Sequence, residues 1–169
     1  MSDLEKEISK LCVSCGYCCD GTLFTKAKAY DEDAPHIARL GLTASENEGN
    51  KSFGLPCHHF EGKCTVYDQT RPRTCGKFFC EPVKKIRKQE SSVEEVQALI
   101  EKVRILREQF FAVVQQQYPE FEDCSLAEIR QRLYNVSEEE QKDFRKKYSS
   151  LYVIGARLFP AVKKFMKEK

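Results

Sequence analysis

The chain has 169 residues, of which 41% are hydrophobic and 32% charged, and its formal net charge is +2. That is an ordinary globular mixture, and so even a charge gives no support for a nucleic-acid or membrane surface. No run of about 18 apolar residues is present to span a bilayer.

The opening, Met1 to Cys12, carries acidic residues and no apolar centre, so it does not read as a secretory leader, and a cytoplasmic protein is expected. From about residue 11 to 82 the chain holds seven of its eight glycines and four of its six prolines, which predicts an irregular module. Thr22-Leu23-Phe24 and Thr65-Val66-Tyr67 are short enough for brief strands. One helix is expected from Asp31 to Leu40, with Pro35 in its first turn and Gly41 in the left-handed position after it. The polar stretch from Thr43 to Ser52 reads as an exposed loop.

After Pro82 the texture changes. The run Lys84-Lys85-Ile86-Arg87-Lys88 lies between Glu81 and Glu90 with no interleaved aromatics, so it reads as a solvated helix start rather than a phosphate-binding patch. Val96, Leu99, Ile100, Val103, Leu106, Phe110 and Val113 recur at steps of three and four, the mark of one helical stripe. Ser92 with Glu95, Ser125 with Glu128 and Ser137 with Glu140 each have the spacing of a capping box. They predict helices from about 93 to 117, 126 to 134 and 138 to 148. A last helix from about 150 to 167 carries Leu151, Ile154, Leu158, Phe159, Val162 and Phe165, with Pro160 as a kink. The expected architecture is mainly α. An irregular Cys-rich module over 1–90 packs as one unit on a bundle of three or four helices over 91–169. The stripe of the 93–117 helix serves as core or, alternatively, as the seam of a homodimer.

Cysteine is the informative residue. There are nine, and eight lie between Cys12 and Cys80, with Cys124 apart. Without an export signal, disulfides are disfavoured, and dense cysteine means metal or redox chemistry. Cys12-x-x-Cys15-x-x-Cys18-Cys19 overlaps two knuckle spacings of the kind that turn two sulfurs onto one ion. Neighbouring side chains point in different directions, so Cys18 and Cys19 either serve different sites or only one of them is a ligand. The second group is Cys57, Cys64, Cys75 and Cys80, with Gly62 and Gly76 as bends. Four and four match two tetrathiolate sites, or one Fe–S cluster plus a zinc. Arg71, Arg73 and Lys77 are placed to offset the thiolate charge. Cys124 alone reads as a buried, inert thiol. His58 and His59 read as hydrogen-bonding neighbours of the site and His36 as exposed. Tyr17, Phe24, Tyr67, Phe78 and Phe79 read as shielding for the metal.

All-thiolate ligation suits an iron–sulfur cluster or Zn2+, and overlapping CxxCxxC steps favour the cluster, [4Fe–4S] being the familiar form. CxxCxxCC at Cys12 to Cys19, then CDGTLF and LPCHHFEGKCTVYDQTRPRTCGKFFC, resembles the YkgJ-type cysteine-cluster family, described as chelating zinc or iron. The resemblance covers roughly residues 11 to 81. It implies that Cys12, Cys15, Cys18, Cys19, Cys57, Cys64, Cys75 and Cys80 match the ligand candidates of that family one for one. A domain of the same type occurs in a flagellin lysine methylase, which implies an iron–sulfur cluster and, as an alternative function, a lysine N-methylase-like modification of protein. After residue 90 there is no Gly-rich strand-to-helix turn of the S-adenosylmethionine kind, and the residues themselves assign no catalytic group. The expectation is a metal-binding protein acting in metal handling, redox or protein interaction. A purely structural zinc module is a further alternative. Its protein partner or substrate is left open, with no specific nucleic acid and no membrane.

Overall fold

The computed structural model of the chain describes residues 2–167. It is mainly α, with eight α-helices and one three-stranded sheet among the described residues. The chain divides into two compact units, one through Phe79 and one from Cys80 onward.

The first unit opens with a helix that the composition of residues 1–12 did not suggest: α1, Asp3–Cys15. Ser2 caps it by accepting from the Glu5 amide at 3.2 Å, Asp3 and Glu5 suit the positive end, and Ile8 and Leu11 bury its inner face. Its amphipathic stripe is only two buried residues long, too short to stand out as a period. β1 (Lys26–Lys28), β2 (Ala44–Asn47) and β3 (Asn50–Gly54) form an antiparallel sheet in the order β1-β3-β2. The strands are therefore not at Thr22–Phe24, a bend, or Thr65–Tyr67, a turn. The expected loop from 43 to 52 is instead the β2–β3 hairpin. It turns at Glu48 and Gly49, both at positive φ (50° and 76°), the backbone that a two-residue hairpin needs. All four residues of β2 are exposed, so no hydrophobic alternation marks it.

The helix expected over 31–40 is present as a 3-10 turn, Asp31–Asp33, running into α2, Ala34–Arg39, and Gly41 takes φ 62°. Between α2 and the sheet Ala29, Ile37, Phe53 and Leu55 form a small core, with Phe24, Ala27, Leu42 and the Cys57 side chain against it. The short helix α3, Arg73–Lys77, lies in the stretch read as irregular and carries Cys75. Five residues give no helical period.

The second unit has a conventional hydrocarbon core. It consists of α4 (Glu81–Arg87), α5 (Val93–Gln117), α6 (Leu126–Tyr134), α7 (Glu138–Lys147) and α8 (Ser149–Lys163). All three Ser–Glu capping boxes form. Val103, Phe110 and Val114 of α5 are completely buried, and α5 packs against α8, with the Phe110 and Phe159 rings 5.6 Å apart. The stripe thus ends on Val114 rather than the half-buried Val113. Gly155 lets α8 fold its own Phe159 back, since a Cβ there would lie 2.4 Å from that ring. No helix is long and apolar enough to cross a membrane among the described residues.

Candidate metal centre

The front cysteine group begins inside α1. Cys12 and Cys15 occupy its last turn, three residues apart and hence on one face, so this spacing is helical rather than a free knuckle. Gly16 ends the helix at φ 65°, its amide donating to the Cys12 carbonyl at 3.3 Å. The chain then folds over the Gly16 carbonyl, which accepts from the amides of Cys19 (2.7 Å) and Asp20 (3.0 Å). Asp20 Oδ1 holds the Thr22 amide at 2.9 Å, and Tyr17, Thr22 and Leu23 are buried beneath.

Two contacts weld this turn to the second group. The Cys57 amide donates to the Cys19 carbonyl at 2.7 Å. The Phe60 ring lies directly over Gly16, where a Cβ would come within 2.0 Å of it. Cys57 follows the cis Leu55–Pro56 bond and opens a tight loop. In that loop the Phe60 amide donates to the Cys57 carbonyl (3.0 Å), Phe60 bridges to Cys64, and the Thr65 amide donates to the His59 carbonyl (2.9 Å). His58 and His59 both aim Nε2 at the Leu40 carbonyl, at 3.0 and 2.8 Å. A carbonyl only accepts, so each ring donates from Nε2. The two histidines tie the loop to α2, as hydrogen-bonding neighbours would. His36 is half-buried rather than exposed.

Cys75 reaches the same place on α3. Asp33, 3% exposed, accepts the Arg73 amide on Oδ1 at 2.8 Å, and the Thr74 hydroxyl donates to the Lys28 carbonyl at 2.6 Å. Asp33 is thus a positioning residue for Cys75 that the sequence did not single out. Nothing but the fold brings it 40 residues along the chain.

The electrostatics show which thiols share space. Burial pushes the Cys19 thiol up to about 12, and the fields of Cys75, Cys57 and Cys64 add to it. The Cys75 thiol is pushed up to about 11, first by desolvation although the residue as a whole is exposed. Cys57 adds to that shift, and Arg71 opposes it. Cys57 is also raised, by burial first, against a hydrogen bond from the His59 backbone and with Cys64 adding. Cys19, Cys57, Cys64 and Cys75 therefore lie within one another's fields, drawn from three separate stretches of chain. Of the three expected cations, Arg71 acts on this group while stacking 4.1 Å over the Tyr67 ring. Arg73 is engaged elsewhere, with Glu32 at 2.9 Å and over the Tyr30 ring.

Cys18 is half-buried in the turn next to Cys19. Cys80 begins the second unit as the residue preceding α4. Its thiol is raised by burial, while the Val83 backbone pulls it back down. Cys124 is half-buried just before α6. Of the aromatic residues Tyr17 is buried, whereas Phe78 is 39% exposed and meets Phe24 edge-on at 5.5 Å.

None of the nine cysteines is in a disulfide. Among the described residues, no three Cys, His, Asp or Glu side chains converge tightly enough to ligate one ion as they stand. The donor set itself fits a soft or borderline ion. Burial first, and neighbouring cysteines second, disfavour the thiolates of Cys19, Cys57 and Cys75, and a cation among them would favour those thiolates instead.

A family model, CxxCxxCC, “Putative zinc- or iron-chelating domain”, matches residues 11–97. The chain belongs to this family. Metal chelation is thus the function that the family attaches to the cysteine region, and the match runs through the first turn of α5. No curated protein and no solved structure gives a match.

Proposed function

We propose that the protein carries an iron–sulfur cluster through cysteine thiolates, with Cys12, Cys15, Cys18, Cys19, Cys57, Cys64, Cys75 and Cys80 as the ligand pool. Within that pool Cys19, Cys57, Cys64 and Cys75 form one ligand set. The observation that carries this reading is the grouping of those four thiols, from three distant segments, inside one another's fields. Thiolates gathered this closely repel one another, and a bound cation offsets that repulsion. The adjacent pair is then divided, with Cys19 in the set and Cys18 left to a second one. The overlapping CxxCxxC spacing favours a cluster over zinc, and free thiols in number suit a reducing, cytoplasmic setting. When bound, a cluster supplies one-electron transfer, whereas zinc supplies structure alone. The chain's own part is to exclude water with Tyr17 and the Phe60 ring, to set Cys75 through Asp33, and to offset charge with Arg71. Metal handling, redox or protein interaction are the roles this supports.

Anaerobic purification tests the metal: brown protein with stoichiometric acid-labile sulfide is expected, and colourless protein carrying zinc overturns the cluster. Serine variants test the set. Replacing Cys19, Cys57, Cys64 or Cys75 one at a time should remove the same spectral component, which Cys12→Ser should leave in place. Loss of that component in Cys12→Ser, or its survival in Cys57→Ser, overturns the grouping.

A further inference from the structure

The second unit holds an open groove of about 720 Å³ that no cysteine lines. It forms where the end of α8 meets the start of α4, the Glu81 amide donating to the Phe165 carbonyl at 3.2 Å. Its floor is aliphatic: Pro82 and Val96 are buried, and Leu99 and Met166 are half-buried. Its rim is cationic, with the exposed Lys85, Lys163, Lys164 and Lys167. These lysines come from two ends of the unit, so only folding collects them.

Two carboxylates also line the groove, and both are occupied by the chain itself. Glu81 accepts from Lys84 Nζ at 2.5 Å. Glu95 accepts from the Ser92 amide at 2.9 Å and the Ser91 hydroxyl at 2.7 Å. Lys167 also acts on Glu81 through its field, and among the described lining residues four lysines face two carboxylates. The groove therefore presents unbalanced positive charge around an apolar base, and its complement is a ligand with negative edges and an aliphatic face. It is too large for a single inorganic anion. No aromatic residue lines it, so it offers no stacking platform for bases. A methionine and proline floor accepts aliphatic side chains of varied shape.

We propose that this groove is a docking site for an acidic segment of a partner protein, with Asp or Glu side chains on the lysine rim and aliphatic side chains on the floor. The charges steer the encounter and the floor holds the bound segment.

Fluorescence anisotropy on the full, metal-loaded chain tests this with four labelled probes: an acidic peptide alternating Glu and Leu, its Lys–Leu counterpart, an all-Glu peptide, and a single-stranded oligonucleotide. The Glu–Leu peptide should bind best and weaken as salt rises. Lys85→Glu with Lys164→Glu should weaken it at least about tenfold. Lys142→Glu with Lys146→Glu, on exposed positions of α7, should leave it unchanged. If the rim variant misfolds by circular dichroism, Lys85→Gln with Lys164→Gln replaces it, with a smaller loss expected. Equal loss in the α7 variant, all-Glu binding as tight as Glu–Leu, or preference for the oligonucleotide each overturns the proposal.

Discussion

Gly16 is the residue on which the two cysteine groups meet. Its φ of 65° costs an L side chain about 1–2 kcal/mol, and the Phe60 ring leaves no room for a Cβ. Gly16→Ala should destabilise the first unit by about 3 kcal/mol. Gly16→Ala with Phe60→Ala should cost less than the two single changes added together. A double-mutant cycle by urea melts checks this, and strict additivity would show that the ring and the glycine do not meet. The thiols make a second prediction at this scale, with its sign set by their direction. Cys19 and Cys75 are raised from 9.0 to about 12 and about 11, so the folded protein holds their protons where the unfolded chain has released them. Their contribution to metal-free stability is whole below pH 9 and is lost as pH rises through that window. Far-UV circular dichroism melts should show the decline, and the Cys19→Ser, Cys75→Ser double variant should show a shallower one. Equal slopes would contradict it.

At the scale of elements, short polar links position the chemistry more than propensity does. α3 has five residues and could not stand alone, so Cys75 depends on the buried Asp33 carboxylate that accepts the Arg73 amide. Asp33→Ala should cost about 2 kcal/mol and speed metal loss to a chelator, while Asp33→Asn, which keeps an oxygen acceptor, should recover much of both. Identical metal-loss rates in the two variants would remove Asp33 from its positioning role. α5 is held differently, by its own capping box. Ser92→Ala should cost about 1 kcal/mol, or about 4–8 °C in the melting temperature of the second unit.

Over the whole molecule, the two units rest on different physics. The second buries Val103, Phe110, Val114, Leu151, Leu158 and Val162 entirely, a hydrocarbon core of its own. In the first, Ala29, Ile37, Phe53 and Leu55 make one small cluster, with the half-buried Cys57 packed against it. Stripping the metal should therefore raise hydrogen exchange across 12–79 well before it does so across 93–163, a difference that mass spectrometry resolves by peptide. Simultaneous loss of protection in both would mean that they unfold as a single cooperative body.

What could be read from residues alone was whatever repeats locally. The capping boxes at Ser92, Ser125 and Ser137, the stripe from Val96, the helix ending at Gly41 and the family of the cysteine run all depend on spacings of a few residues. α1 escaped because its buried face is only Ile8 and Leu11, and the β2–β3 hairpin because its outer strand buries nothing. Tertiary structure alone decided that Cys19 lies within the fields of Cys57, Cys64 and Cys75, that Asp33 holds the start of α3, and that Lys85 lines one groove with Lys163 and Lys164. The reason is physical. Fields and hydrogen bonds act through space over a few ångströms, and no local periodicity records which distant segments the chain folds to that distance.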